Sequence, residues 1–186
     1  MTKEQISIVN KTAEFVKNKF ESEGSGHDWW HMQRVLNNSI KIAKKEKGDM
    51  FVIQLAALLH DISDFKFNGG DELMGGKLAR ERLVSQGVDD ESIRKVQHIV
   101  DSISFKGLEE KNKMKGKDGL IVQDADRLDA VGAIGIARCF AYGGSAEIFF
   151  SPGIVPDPLI AFLYSPWSRK GAIRESCSAA SCSLVF

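Results

Sequence analysis

The chain has 186 residues, of which 43% are hydrophobic and 27% are charged, as expected for one soluble globular domain with a substantial core. Its 25 Lys and Arg residues balance 25 Asp and Glu residues, so charge gives no general argument for a nucleic-acid or membrane partner. The three cysteines show no CxxC spacing, which argues against a disulfide framework, and the charged N-terminus argues against a signal peptide. No apolar run reaches the roughly 18 residues of a membrane span. We therefore expect a reduced, cytoplasmic setting.

Apolar side chains recur every three or four residues through most of the chain, which predicts helices rather than strands. The first helix is predicted at 3–21 and the second at 28–47, with the glycine-containing stretch ESEGSG between them. The third, at about 50–62, follows Asp49 as a candidate N-cap and is apolar nearly all round. We therefore expect it at the centre of the fold.

Two more helices are expected between residues 71 and 105. One runs from a candidate cap at Asp71 to about residue 86, and the other from a cap at Asp89 or Asp90 to about residue 105. The charged, glycine-punctuated stretch KGLEEKNKMKGKDG that follows is typical of an exposed connection.

The stretch LIVQDADRLDAVGAIGIARCFAYGG predicts one long helix over about residues 120–144, with small residues that allow neighbours to pack closely. Four prolines follow between residues 152 and 166, so only a short helix is expected, near 157–164. Because strand signals are few, the sequence predicts an all-α, single-domain helical bundle.

All four histidines lie in the first 98 residues. His27 and His31 are four residues apart and share a helix face if that helix begins early enough. The HxxxH spacing alone is a weak zinc signal, because neither an adjacent Glu nor a nearby Cys accompanies it. His31 is therefore either a metal ligand or a surface or core histidine.

His60 and Asp61 stand side by side at the end of the apolar third helix. A carboxylate beside a buried apolar run costs free energy unless it is paired or bound to a metal ion. Adjacent helical residues point about 100° apart, so both can reach one ion only at a helix end or in a concave site. The pair is either metal-binding or a structural cap or salt bridge.

Asp124, Asp126 and Asp129 fall within six residues, with Arg127 between them. Asp126 and Asp129 share a helix face, where like charges repel each other unless a cation offsets them. The cluster therefore predicts either a cation site or an Asp–Arg network that fixes the helix.

The stretches HDWWHMQRV, AALLHDISDFKF, IVQDADRLDAVGAIGIAR and FAYGG place a His, then a His-Asp pair, then an Asp along a helical chain. In this order the sequence resembles the HD-domain superfamily of metal-dependent phosphohydrolases, and within it the small bacterial YedJ/YpgQ-like HD hydrolases, over roughly residues 5–145. The resemblance implies an HD-type helical core at 1–145 and a divergent C-terminal segment at 146–186 that packs on or extends the same domain.

The resemblance implies one divalent metal ion bound by His31, His60, Asp61 and Asp126. Asp126 is preferred over the neighbouring aspartates because ADRL is the stretch that matches the family motif. Two imidazoles and two carboxylates suit Mn²⁺, with Mg²⁺, Co²⁺, Ni²⁺ or Fe²⁺ as alternatives. Such an ion would lower the pKa of the attacking water.

The resemblance also implies roles for residues around the ion. Asp64, one turn after His60, is the candidate general base, with solvation of a helix end as the alternative. Five side chains are candidate substrate contacts: Arg34, Lys66, His27, His98 and Arg127. Arg127 could instead pair with neighbouring aspartates, and His27 could be a surface residue.

By this resemblance the protein is expected to be a metal-dependent phosphohydrolase that cleaves a nucleotide phosphate or pyrophosphate bond, with nucleotide pyrophosphohydrolase activity as the sharpest form of the expectation. The alternative is a non-catalytic regulatory HD domain that binds a metal ion or a nucleotide. The expected partner is a small-molecule phosphate rather than a membrane or a long nucleic acid, and a homodimer is compatible with the resemblance.

Overall fold

The computed structural model describes residues 1–21, 23, 28–63, 73–103 and 113–145. Within these ranges the chain forms seven helices and no strand, which confirms the all-α prediction. None of these helices combines the length and the apolar character needed to cross a bilayer. The helices are α1 (Lys3–Phe20), α2 (Trp29–Glu46), α3 (Met50–Leu59), α4 (Met74–Ser85), α5 (Asp90–Ser102), α6 (Lys117–Asp129) and α7 (Gly132–Ser145).

The central position predicted for α3 is confirmed. This helix contacts α1, α2, α5 and α6, and eight of its ten residues are buried. Val52, Leu55 and Leu58 have no exposed surface at all. Burying a side chain of this size stabilises a fold by about 1.5–3 kcal/mol. The C-terminal end of α3 is consequently held firmly inside the bundle.

Aspartate side chains fix where several helices begin. Asp49 accepts hydrogen bonds from two backbone N–H groups in the first turn of α3, at 3.0 and 3.4 Å, and Asp89 caps α5 in the same manner. Both caps agree with the sequence prediction. Asp28 caps α2 by accepting from the backbone N–H of His31 at 2.8 Å. This cap places His31 in the first turn of α2.

The prediction of one long helix over 120–144 is wrong, because the chain breaks it in two. α6 ends at Asp129, and the N–H groups of Ala130 and Val131 turn back to carbonyls three residues earlier. Gly132, the first residue of α7, has φ of 71°, in the left-handed region that favours glycine. A tight turn ending in glycine therefore separates the two helices.

Two other helix boundaries differ from the prediction. α3 ends at Leu59, three residues before the expected end, so that His60 follows the helix. α4 begins at Met74, whereas its candidate cap Asp71 lies outside the described residues. Residues 146–186 also lie outside them, including the short helix expected near 157–164. The division of the chain at residue 145 stays a prediction.

Candidate metal centre

The ends of three helices meet at one place in the bundle. His31 comes from the first turn of α2, His60 and Asp61 follow the last residue of α3, and Asp126 lies in the last turn of α6. These three helices contact one another in pairs. The packing of the bundle therefore determines how close the four side chains lie.

The inward-facing atoms of the four side chains are close neighbours. The Nε2 atoms of His31 and His60 are 3.2 Å apart. Asp61 Oδ2 lies 3.5 and 3.4 Å from these two nitrogens, and Asp126 Oδ1 lies 3.4 and 3.7 Å from them. Atoms that share one ion at roughly 2.1 Å lie roughly 3 Å or more apart. His31, His60 and Asp126 could hold a metal ion, since their ligand atoms all lie within 4.8 Å of one another.

Both imidazoles use their outer nitrogen as a donor. His60 Nδ1 lies 2.9 Å from the carbonyl oxygen of Ala57, and His31 Nδ1 lies 2.8 Å from Oδ2 of Asp129. A carbonyl and an ionised carboxylate only accept hydrogen bonds, so each Nδ1 carries a proton. With Nδ1 donating, each ring directs its Nε2 atom towards the other ring and towards two carboxylates. This arrangement needs a cation, which is either a metal ion or a proton.

Protein groups alone meet part of that need with a proton on His60. Burial disfavours the charged imidazole, but the negative charges of Asp61 and Asp126 outweigh burial and raise the pKa of His60 to about 9. Burial likewise disfavours an ionised Asp126, but the nearby imidazolium outweighs it and holds the pKa of Asp126 below its usual range. The single positive charge of His60 faces two carboxylates, Asp61 and Asp126, and this excess of acidic groups favours a divalent cation.

The cluster is open to solvent on its carboxylate side. The side chains of His31 and His60 are 0% and 1% exposed, whereas those of Asp61 and Asp126 are 18% and 25% exposed. The carboxylates are therefore the part of the cluster that solvent reaches.

The sequence placed Asp129 in a cluster of aspartates but did not predict that it contacts His31. Its carboxylate accepts hydrogen bonds from His31, from Arg34 at 2.6 and 3.0 Å, and from Arg138 at 3.2 Å. Burial opposes its charge, but these partners hold the pKa of Asp129 well below its usual range. An Asp–Arg network is thus present beside the cluster, but its arginines are Arg34 and Arg138 rather than Arg127, the one that the sequence suggested. The available signal was the three-residue spacing from Asp126.

Three of the predicted substrate contacts lie in the described residues. The guanidinium of Arg34 is one turn from His31 and 34% exposed, with two of its nitrogens bound to Asp129. Arg127 is exposed on α6. The Nδ1 atom of His98 on α5 lies 3.5 Å from the hydroxyl of Ser102. The contacts of these three residues with substrate stay predictions.

His27, Asp64 and Lys66 lie outside the described residues. The expected substrate contacts of His27 and Lys66, and the expected role of Asp64 as general base, therefore stay predictions as well.

A family model described as the HD domain matches residues 29–131, more than half of the chain. The chain belongs to the HD-domain family. The match spans the whole interval from His31 to Asp126. A curated relative is the uncharacterised protein YpgQ of Bacillus subtilis (strain 168), which is 39% identical over 145 residues, covering 76% of this chain and 69% of YpgQ.

Solved structures of other HD proteins have the same fold. YpgQ of Bacillus subtilis in complex with ADP aligns with a TM-score of 0.64 and 32% identity, over 86% of this chain and 75% of that one. An HD-superfamily hydrolase from Bacillus thuringiensis aligns with a TM-score of 0.61 and 39% identity, over 85% and 78% of the two chains. These matches confirm the resemblance and the HD-type helical fold, and they support a metal-dependent hydrolase.

Proposed function

We propose that this HD domain is a metal-dependent phosphohydrolase that cleaves a phosphate or pyrophosphate bond of a nucleotide. Two imidazole nitrogens lie 3.2 Å apart, and one oxygen of Asp61 and one of Asp126 each lie 3.4–3.7 Å from both nitrogens, which is the observation that supports the proposal. Because both Nδ1 atoms are committed as donors, all four inward-facing atoms offer lone pairs to a cation.

We propose His31, His60, Asp61 and Asp126 as the ligands of one divalent ion. Nitrogen and oxygen donors in equal number suit Mn²⁺, with Mg²⁺, Co²⁺, Ni²⁺ or Fe²⁺ as alternatives. When bound, the ion would polarise a phosphoryl oxygen and lower the pKa of the attacking water. The chain itself contributes a fixed set of donors, because the rigid end of α3 and the capped start of α2 hold both imidazoles in place.

A nucleotide is the proposed substrate because the relative YpgQ has been solved in complex with ADP. Transfer of a phosphoryl group is favoured by cationic side chains beside its negatively charged oxygens. The proposed contacts are Arg34, Arg127 and Lys66 for the phosphates and His27 and His98 for the rest of the substrate. Asp64 is proposed to take the proton from the attacking water.

A panel of nucleoside mono-, di- and triphosphates tests the proposal. Bound metal is measured first, and then Mn²⁺-dependent release of phosphate and of pyrophosphate. His60→Ala and Asp61→Ala should each lose stoichiometric metal and more than about 100-fold of the activity, since even outer partners of metal ligands contribute 10- to 100-fold. Asp124→Ala removes an exposed carboxylate of α6 and is the matched control that should keep both properties.

Each outcome separates two readings of the site. Release of pyrophosphate would identify a nucleotide pyrophosphohydrolase, and release of phosphate alone would identify a nucleotide phosphatase. Activity that survived both ligand substitutions would rule out this site. Stoichiometric metal without turnover of any nucleotide would support the regulatory HD domain instead.

A further inference from the structure

Asp129 shares a helix face with Asp126, yet its surroundings differ from those of a metal ligand. The side chain of Asp126 is 25% exposed, whereas that of Asp129 is 3% exposed. Oδ1 of Asp129 accepts from Nε of Arg34, and Oδ2 accepts from Nη2 of Arg34, Nδ1 of His31 and Nη1 of Arg138. A carboxylate offers about four acceptor positions. Four donors from three side chains therefore occupy most of the acceptor capacity of Asp129, which is the environment of a structural carboxylate rather than of an open ligand.

The hydrogen bond between Asp129 and His31 determines which nitrogen of His31 faces the cluster with a lone pair. His31 has no exposed surface, so water cannot replace this acceptor. With the proton held on Nδ1, Nε2 is free to bind a metal ion, and a carboxylate partner also makes the imidazole a stronger ligand. Without the carboxylate, the His31 ring could rotate and its proton could move from Nδ1 to Nε2.

We propose that Asp129 is the positioning residue for His31, and that Arg34 and Arg138 hold Asp129 in place from α2 and α7. This inference rests on the proposed function, because it takes His31 as a metal ligand. Two nitrogens of Arg34 donate hydrogen bonds to the two oxygens of Asp129, and this bidentate contact fixes the plane of the carboxylate. Arg138 adds a contact from α7, a helix that supplies none of the four proposed ligands.

A purely structural role is the competing explanation. A buried carboxylate between two arginines and a histidine also ties α2, α6 and α7 together, and breaking such a group destabilises a protein whatever its function. Stability measurements alone therefore cannot distinguish the two roles. Metal affinity and the protonation of the His31 ring can, because only a positioning residue controls them.

Asp129→Asn is the test variant, since it keeps the shape of the side chain and removes the charge. Its affinity for Mn²⁺ is measured by calorimetric titration of the full chain, beside Asp124→Asn as the matched control on the same helix. We expect Asp129→Asn to bind Mn²⁺ 10- to 100-fold more weakly. The control should bind Mn²⁺ as the unmodified chain does, because Asp124 is exposed and contacts none of the four proposed ligands among the described residues.

Nitrogen-15 NMR of the imidazoles, recorded after chelation, gives the second readout. The unmodified chain should carry the His31 proton on Nδ1, and Asp129→Asn should move a measurable fraction of it to Nε2. Both changes are required. Unaltered Mn²⁺ affinity, or weaker affinity with an unaltered His31 proton, would overturn the inference even if the variant were less stable.

Arg138→Gln decides the matter if Asp129→Asn does not fold, since it leaves the bond to His31 but loosens the carboxylate. Weaker Mn²⁺ binding is then expected, and unchanged binding would overturn the inference. None of these measurements uses a substrate. A chain that binds Mn²⁺ through His31 but cleaves no nucleotide would refute the proposed function alone, and a hydrolase whose Asp129→Asn variant binds Mn²⁺ normally would refute the inference alone.

Discussion

α3 and α7 are both apolar helices, but they stand in opposite relations to the bundle. α3 buries eight of its ten residues and contacts four other helices. α7 leaves Ile134, Ile136 and Phe140 exposed by 47%, 46% and 49%, and its main neighbour among the described helices is α6. Apolar composition therefore does not by itself place a helix in the core.

The two helices also reach the candidate metal centre in different ways. α3 ends directly at His60 and Asp61, so close packing positions those side chains. α7 reaches the centre through the ion pair between Arg138 and Asp129. One side of the site thus depends on the hydrophobic core, and the other depends on buried charge.

The largest expected contrast between the two helices is in global stability. Ile53 of α3 is fully buried, whereas Ile136 of α7 is 46% exposed. Ile53→Ala should lower the free energy of unfolding by about 2–5 kcal/mol through lost burial and a cavity. Ile136→Ala should change it by less than about 0.5 kcal/mol. Urea unfolding of both variants checks this, and equal losses would show that α7 belongs to the core.

The pH dependence of stability should report on the α3 side of the site. The pKa of His60 is raised to about 9 in the fold, above its value of about 6.5 in an unfolded chain. The protonated form stabilises the fold, so this contribution is fully present below about pH 6.5 and is lost as pH rises through 9. The shift limits it to roughly 3 kcal/mol.

Chemical denaturation of chelator-treated protein between pH 6 and 10 measures that loss. His60→Gln provides the reference, because subtracting its profile removes the titration of every other group. A decline of equal size in both proteins would contradict the raised pKa of His60.

Metal binding should stabilise the fold through the end of α3. Mn²⁺ at 100 times its dissociation constant should raise the free energy of unfolding by about 2.7 kcal/mol, and chelation should reverse the gain. His60→Ala should abolish the gain, whereas Ile136→Ala on α7 should keep it. Thermal unfolding with and without Mn²⁺ makes the comparison, and a gain that persisted in His60→Ala would place the ion elsewhere.

The smallest expected effect concerns the turn that precedes α7. Gly132 and Gly87 have φ of 71° and 73°, and an added Cβ would meet no atom within 4 Å at either position. Alanine in this conformation costs about 1 kcal/mol. Gly87→Ala should lose that amount in global stability. Gly132→Ala should lose less and instead speed amide exchange in α7, because the main neighbour of α7 among the described helices is α6 alone.

Urea unfolding together with hydrogen exchange measured by mass spectrometry distinguishes the two glycine variants. An equal global loss in both would mean that α7 unfolds together with the rest of the bundle.

The sequence was sufficient for features that depend on local pattern. The all-round apolar run of α3 predicted its central place, and Asp49 and Asp89 were recognisable as caps because capping depends on neighbouring residues. The adjacency of His60 and Asp61 at the end of that run also pointed to the place where a site forms. The roles of these two residues as ligands stay predictions.

The sequence could not assign separate environments to Asp126 and Asp129. The two share one face of α6, and the positions of α2 and α3 determine that Asp126 faces the two Nε2 atoms while Asp129 meets Nδ1 of His31. The break at Gly132 was missed for a related reason. Glycine is tolerated inside small-residue helices, so the letter alone does not reveal a positive φ.

The hydrogen bond between His31 and Asp129 joins residues 98 positions apart in the chain. Closing a loop of that length costs on the order of 4 kcal/mol of chain entropy, and such contacts form slowly in folding. We expect a refolding chain to become able to capture Mn²⁺ no earlier than α6 docks on α2, as a metal indicator in a stopped-flow experiment would show. Metal capture would then mark the completion of folding.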